Sequence, residues 1–369
     1  MLKTIFFAVT NDLETDQRVN RAASTLLENG YRVTVIGRKL PHSKFFERAY
    51  QIKRFRLWFN RSFWFYVEYN IRLLVFLLFH RFDVVYANDI DTLLPCWIAA
   101  RVKRKKVIFD SHELFSEVPE LYNRPRVKHF WKRLEHFLIP KIDIGITVCS
   151  PIAEFYQNEY GKNFHVILNV PFSQIVFPLE KNNTTDEIRI IYQGAVNKGR
   201  GLFLLVDSIK FIPNACLTIC GIGDEIEALR QYINQKDYAN RVHLMGKVAY
   251  EHLPQITRTA HVGVSLEEDL GLNYRFASPN KLFDYIQAQI PVVVSNLPVM
   301  SAIVTENRIG EVLYERTPET LANLIKKVAQ DFKNGNYTNS LVSAASTFNW
   351  DVEKKKFLRI FASLEEKTL

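Results

Sequence analysis

Glycine is missing from the one turn where a dinucleotide-binding chain would need it. The first strand-like run, Lys3 to Val9, leads into Thr10-Asn11-Asp12-Leu13-Glu14-Thr15-Asp16, without the glycines that let a backbone approach a pyrophosphate closely. That excludes the first half as an ordinary dinucleotide binder. Cysteine is scarce: Cys96, Cys149, Cys216 and Cys220 lack metal-ligand spacing, so free thiols and no structural metal are expected. With no signal-like segment before the first strand, a reducing cytoplasm is the expected home. Long apolar runs are also lacking. Leu73 to Phe79 is the longest and falls short of the roughly 20 residues that span a bilayer. Internal repeats and low-complexity segments are absent as well.

What is present is an ordinary globular composition on a long chain. At 369 residues, 47% hydrophobic and 24% charged, it exceeds what one core usually serves, and two domains are expected. The formal net charge of +9 favours polyanionic partners: nucleic acid, an acidic membrane surface or phosphorylated ligands. No nucleic-acid-binding module is recognisable, and the aromatics cluster with long apolar residues instead of lining a basic groove, so nucleic acid is not an expected partner.

Strand and helix patterns alternate along the whole chain. Lys3 to Val9, Arg32 to Ile36, Val84 to Tyr86, Val107 to Phe109 and Ile144 to Val148 read as buried strands, each followed by a helical pattern, which predicts a parallel sheet covered on both faces. The polar stretch Glu180-Lys181-Asn182-Asn183-Thr184-Thr185-Asp186 reads as a linker to a second series at Ile188 to Tyr192, Cys216 to Ile219, Val242 to Met245, Val262 to Leu266 and Pro291 to Ser295. Residues 1–178, 179–345 and 346–369 are thus expected to be a first domain, a second domain and a closing helix, the helix running from Asn349 to Leu364.

The second series carries glycines at its strand ends, where open α/β sheets bind ligands: Gly194, Gly199 and Gly201 after one strand, Gly221 and Gly223 after the next. With Lys198 and Arg200, the first of these loops could cradle phosphate oxygens, or be a Gly-rich turn with solvated charges. Further on, Ser278 suits a helix N-cap and Pro279 the first helical position. Leu282, Phe283, Ile286 and Ile290 then fall on one face, while Lys281 and Asp284 share another. This suits a phosphate at Asn280 and Lys281 and sugar hydroxyls at Asp284, or else a solvated ion pair on an ordinary capped helix.

In the first series, His112 follows a strand end and has Asp110, Glu113 and Glu117 beside it. It could exchange protons near neutrality, or be a structural histidine. Asn88-Asp89-Ile90-Asp91 contains an Asp-x-Asp of the kind that can hold a divalent cation, but the simpler reading has Asp91 capping a helix that begins at Thr92. Arg61 to Arg81 is helical and rich in aromatics, with Arg54, Arg56, Arg61, Arg72 and Arg81 around it. It suits either an anionic membrane interface or a helix buried as core.

Taken together, Asn11-Asp12, Asp16-Gln17-Arg18-Val19, Asp110-Ser111-His112-Glu113-Leu114-Phe115, Tyr192-Gln193-Gly194 through Lys198-Gly199-Arg200-Gly201, Gly221-Ile222-Gly223, and Ser278 to Tyr285 with Pro291-Val292-Val293 resemble the GT-B-fold retaining glycosyltransferases of family 4 over nearly the full length. The resemblance implies two Rossmann-like domains facing across a cleft, with the terminal helix crossing back onto the first. It implies an acceptor, a glycan or lipid-linked saccharide, on the first domain, where Asp16, Arg18 and Glu113 are the matching residues. A UDP- or GDP-sugar donor is implied on the second, with no cofactor and no metal. Arg200, Lys281 and the amides near Asn280 would meet the diphosphate, Asp284 the ribose, and His112 would be a catalytic or donor-positioning histidine. One departure matters. The family's pair of acidic residues lies eight positions apart, and eight before Asp284 stands Phe276. Glu267, Glu268 or Asp269 could substitute, and Glu268, just past the strand end, is the choice made here.

The implied activity is transfer of a sugar to a glycan in cell-surface polysaccharide synthesis, in the cytoplasm or on the inner face of its membrane. The rivals are a metal-dependent GT-A transferase using Asp89 and Asp91, and a non-catalytic basic protein that binds anionic lipid or nucleic acid.

Overall fold

Runs such as Ile5–Ala8 and Val84–Asn88 are apolar at almost every position, as a strand covered on both faces must be. In the computed structural model, which describes residues 3–41, 43–118, 121–174 and 186–366, they lie at the centre of a parallel sheet. The chain divides into two units, one made of residues up to Leu168 together with those from Lys354 onward, the other of Asn169–Glu353. Most of the expected linker, Glu180 to Thr185, and the expected boundary at 178 lie outside the described residues.

Among the described residues, the first unit has seven parallel strands: β1 (Thr4–Ala8), β2 (Arg32–Lys39), β3 (Gln51–Arg56), β4 (Val84–Asn88), β5 (Lys106–Ser111), β6 (Ile144–Thr147) and β7 (Phe164–Val166). Their order is β3-β2-β1-β4-β5-β6-β7, with Ile5 opposite both Val33 and Val84, so the winding direction reverses between β1 and β4. The helix Gln17–Glu28 follows β1 and buries Val19, Ala22, Ala23 and Leu26. Gly30 ends the turn after it at φ +83°, a conformation open to glycine at no steric cost. The last helix, Trp350–Glu366, sends Phe357 and Phe361 against Tyr86 in this unit, with centroids 6.3 and 6.4 Å away. Each such buried aromatic contributes roughly 1.5–3 kcal/mol by leaving water.

The second unit repeats the plan with six described strands: β8 (Ile188–Gln193), β9 (Ala215–Cys220), β10 (Val242–Gly246), β11 (Val262–Ser265), β12 (Val292–Ser295) and β13 (Gly310–Leu313). The order is β10-β9-β8-β11-β12-β13, all parallel, with the reversal between β8 and β11. In open sheets of this kind, ligands bind beyond the carboxyl ends of the strands at the reversal.

Two helix starts differ from expectation. Pro279 is extended (ψ 135°), and the helix begins at Asn280 and runs to Gln287, with Ser278 Oγ making no hydrogen bond. A proline in extended conformation can precede the first turn as well as occupy it, and here the first turn closes through Leu282 N–H donating to Pro279 O. Likewise the helix after β4 runs Ile90–Lys103, so Asp91 lies inside its first turn and does not cap it.

Candidate active site

The second unit gathers positive charge at its reversal point. β11 ends at Ser265, and two residues later Glu267 is fully buried. Its carboxylate accepts from Lys281 Nζ at 2.8 Å, from Arg200 at 3.3 Å and from Ser265 Oγ at 2.7 Å. Lys281 is 7% exposed, on the first turn of the helix Asn280–Gln287, and its ammonium also lies 4.2 Å from the Tyr192 ring centroid. Arg200 comes from the loop after β8, lies 5.0 Å from the Tyr274 ring, and has a buried Nε–H without a hydrogen-bond partner. Burial alone would raise the Glu267 carboxyl, but Lys281 and Arg200 outweigh it and hold its pKa at about 2. Two cations share one carboxylate, which leaves the cluster net positive beside a helix N-terminus.

The glycines of this unit serve the loops' approach to each other. Gly194 N–H donates to Cys220 O and Val196 N–H to Ile222 O, zipping the loop after β8 to the loop after β9. A Cβ on Gly221 would sit 1.8 Å from Gly194 O, and one on Gly223 would sit 2.4 Å from Val196 O. A Cβ on Gly194 itself, where φ is +129°, would come within 3.3 Å of Lys281 Cε. Glycine is therefore required at 221 and 223 by backbone packing, and at 194 by a left-handed conformation next to the lysine.

Asp284 accepts from Gln193 Nε2 at 2.8 Å, and Gln193 Oε1 accepts from Thr257 Oγ1 at 2.8 Å. Lys281 is thus paired with Glu267, not with the Asp284 that shares its helix face. Lys198 and Asn280 are exposed. Glu268, the expected substitute for the missing acid, is 43% exposed and only 3.8 Å from Arg316, so the acid placed among the cations is its neighbour Glu267. Alternation along the strand end turns Glu267 inward and Glu268 outward. Arg316 was not anticipated: it donates to Ser295 Oγ and to the carbonyls of Leu266 and Glu267, pinning the loop that carries Glu267. It follows β13 by a short turn and has no sequence motif around it.

The first unit has its own polar cluster at the β1/β4 reversal. Arg18, 5% exposed, donates to both oxygens of Asp110 (2.9 and 2.7 Å) and to Ile167 O (2.9 Å), while Tyr86 OH donates to Asp110 Oδ2 at 2.8 Å. The expectation of an acceptor-facing Arg18 is corrected: its guanidinium is committed to the interior and holds Asp110. Asp16 is likewise committed, capping the following helix through Val19 N–H at 3.0 Å and accepting from Asn11 Nδ2 at 2.7 Å. Glu113 is exposed.

His112 lies between two carboxylates. Nδ1 is 3.4 Å from Asp89 Oδ2, Nε2 is 3.4 Å from Asp110 Oδ2, and its backbone N–H donates to Asp89 Oδ1 at 3.0 Å. Burial would lower its pKa, but Asp89 and Asp110 override this and raise it to about 9. The two carboxylates thus favour the charged form of the ring, in which both nitrogens donate. Asp89 occupies φ +61°, a strained conformation for a residue with a side chain. Asp91 accepts from Thr10 Oγ1 at 2.7 Å. Burial and the Asp89 charge push its pKa up to about 7. The two acids of the Asp-x-Asp therefore face different partners, and among the described residues no group of three or more His, Cys, Asp or Glu is placed to hold a metal ion.

Comparison with known proteins agrees with this architecture. Residues 17–170 match the model of glycosyltransferase family 4, and residues 177–345 that of glycosyl transferases group 1. An uncharacterized glycosyltransferase of Methanocaldococcus jannaschii is 24% identical over 183 residues, 48% of this chain and 45% of that protein. The chain thus matches less than half the length of this curated relative. The sucrose-phosphate synthase of Thermosynechococcus elongatus has the same fold with a TM-score of 0.79 at 16% identity, covering 99% of this chain and 100% of that one. HepE of Anabaena, solved in complex with UDP-glucose, superimposes with a TM-score of 0.75 at 15% identity, covering 98% and 100%.

Proposed function

The chain belongs to the group 1 glycosyltransferases and has the GT-B fold, and on that premise we propose that it moves a sugar from a UDP- or GDP-sugar to a glycan or lipid-linked acceptor. The fold leaves no place for the GT-A alternative, and membership of a transferase family removes the non-catalytic one. The observation that carries the donor assignment is the convergence of Lys281 and Arg200 on buried Glu267 at the β8/β11 reversal. A departing nucleoside diphosphate develops negative charge, and two fixed cations beside a helix N-terminus stabilise it where it forms. In this reading Lys281, Arg200 and the amides around Asn280 bind the diphosphate. The loops at Gly194 to Lys198 and Gly221 to Gly223 enclose the nucleotide, and Asp284, braced by Gln193, binds the ribose. Glu267 positions the cations, and it takes the place of the missing acid for which Glu268 was the expected substitute.

The acceptor belongs to the first unit, around Thr10, Asp89, Asp91 and His112. Held between Asp89 and Asp110, which favour its charged form, His112 in this reading donates to a sugar or phosphate oxygen. That supports retention by front-face attack: the acceptor oxygen bonds the anomeric carbon as the bond to the diphosphate breaks, and the leaving phosphate oxygen takes the acceptor's proton. The reaction then needs no divalent cation. HepE's complex with UDP-glucose supports a uridine donor, and surface polysaccharide assembly is the setting we favour.

Calorimetric titration with UDP, GDP and ADP, and their sugars, tests this reading. Lys281→Ala and Arg200→Ala should each weaken the preferred diphosphate by about tenfold or more, the worth of one charge-assisted contact. Transfer should persist in chelator, and the product should keep the donor's anomeric configuration by NMR. Diphosphate affinity unchanged in both variants would refute the site.

A further inference from the structure

The helix Ser62–Phe79 is apolar on both of its long faces. Its inward stripe, Phe65, Tyr69, Leu73 and Leu77, is buried, and the Tyr69 hydroxyl donates to the carbonyls of Val9 and Ile36. A helix covering a sheet normally turns charge outward. Here the opposite stripe is Trp64, Val67, Ile71, Val75 and Leu78, of which Trp64 and Ile71 are 59% and 58% exposed. Phe79 ends the helix 83% exposed, and Trp58, in the loop before it, is 84% exposed.

The charges on this face cancel one another. Glu68, the helix's one acid, pairs with Arg72 at 2.8 Å and accepts the N–H groups of Trp58 and Phe59 at 2.9 Å, which fixes the aromatic loop against the helix. Around the face the charge is strongly one-sided. Residues 38–81 hold ten Lys and Arg against two acids, in a chain whose net charge is +9. Arg56, Arg61 and Arg81 are all exposed there.

We propose that this face docks on an anionic phospholipid surface, the helix lying in the headgroup plane with its outer stripe among the acyl chains and its arginines on lipid phosphates. With 18 residues and a mean hydropathy of 1.3, the helix is by length and composition alone apolar enough to cross a bilayer, although its longest uninterrupted apolar run is still Leu73 to Phe79. Its inner stripe, however, is packed into the unit, and a helix held that way lies on a membrane instead of spanning it. A second copy is the weaker occupant, because apposing two such faces brings together two patches with the same excess of positive charge. The inference goes beyond sugar transfer and does not depend on it, since none of these side chains has a part in the donor or acceptor clusters.

The test is co-sedimentation of the full chain with phosphatidylcholine vesicles, with and without phosphatidylglycerol, at low and high salt, together with light scattering in the absence of lipid. The chain should bind the anionic vesicles, more weakly at high salt, and bind neutral vesicles at least about tenfold less. The variant Trp64→Ser/Ile71→Ser/Val75→Ser, altered only at outward positions, should lose at least about tenfold in binding to anionic vesicles. Arg61→Glu/Arg81→Glu should weaken binding and flatten its salt dependence. Both variants should keep the wild-type melting temperature and UDP response, which separates lost docking from lost folding. Absence of wild-type binding to anionic vesicles, undiminished binding by the serine variant, or a wild-type dimer that this variant turns into a monomer would overturn the proposal.

Discussion

Replacing Glu267 by glutamine keeps the shape of the second cluster and removes its charge. In the wild type, Lys281 and Arg200 hold the Glu267 carboxyl at about 2, against about 4.5 for an ordinary glutamate. That difference corresponds to roughly 3 kcal/mol of folding stability at neutral pH, in line with the 3–5 kcal/mol typical of a broken buried pair. Because the folded pKa is depressed, the contribution is complete above about pH 4.5 and fades as pH falls toward 2, to roughly 1 kcal/mol near pH 3. The variant should therefore melt roughly 6–12 °C lower at pH 7 for a unit of this size, and the gap should narrow as the solution is acidified. Ligand response should move the other way. Lys281 and Arg200 lose their fixed counter-charge, so UDP should raise the melting temperature of Glu267→Gln by more than it raises that of the wild type. Calorimetry at pH 7 and pH 3, with and without UDP, reads all of this. A variant as stable as the wild type at pH 7, or a gap equally wide at both pH values, refutes the claim that Glu267 is the counter-ion of the site.

Three other outcomes follow from the geometry. His112→Asn should lower turnover by about a hundredfold, as removal of one electrostatic donor does, with nucleotide binding kept. Because its folded pKa is raised to about 9, the stabilisation from charged His112 is present below about pH 6.5 and lost as pH rises through 9, so wild type and variant should converge in stability in alkali. Arg18→Ala should destabilise the first unit by about 3–5 kcal/mol by stranding Asp110, and Arg18→Lys should fail to rescue it fully, because a lysine cannot form the paired hydrogen bonds; denaturant titration checks both. Gly221→Ala should weaken UDP binding by calorimetry and lower the melting temperature of the second unit, since its Cβ cannot coexist with Gly194 O at 1.8 Å.

How legible each part was depended on how far along the chain its cause was spread. The central strands were readable because a fully covered parallel strand is apolar almost throughout, and Thr4–Ala8, Val84–Asn88 and Val292–Ser295 each carry a polar residue only at one end. The edge strands were not. Gln51–Arg56 alternates charge with apolar residues, and Phe164–Val166 has three residues, so neither stands out from a loop. Lys281, Arg200 and the glycine loops stand out in local pattern, for each lies at a strand end or a helix start. Arg316 does not, and Glu267 could be named only beside Glu268 and Asp269, because what distinguishes Glu267 from Glu268 is which way the chain turns after β11, and Arg316 acts from 49 residues away through the carbonyl of Glu267.

The same reasoning explains why the acid expected eight residues before Asp284 is absent without leaving the cluster unbalanced. Lys281 and Arg200 would be costly to bury with no counter-charge, so some carboxylate must reach them. Position 276 cannot supply it, for it is a phenylalanine that ends the short helix Leu272–Arg275. Glu267 can, because it leaves a strand lying between β8 and β12 and arrives already buried, with Ser265 donating to one oxygen and the two cations to the other. A carboxylate held that way occupies a place where a diphosphate oxygen would also be attracted. Nucleotide and Glu267 therefore compete for the same two cations, and the cluster is poised to bind an anion without being so positive that the empty site destabilises the fold. That balance is what Glu267→Gln would tip toward tighter ligand binding and a weaker fold.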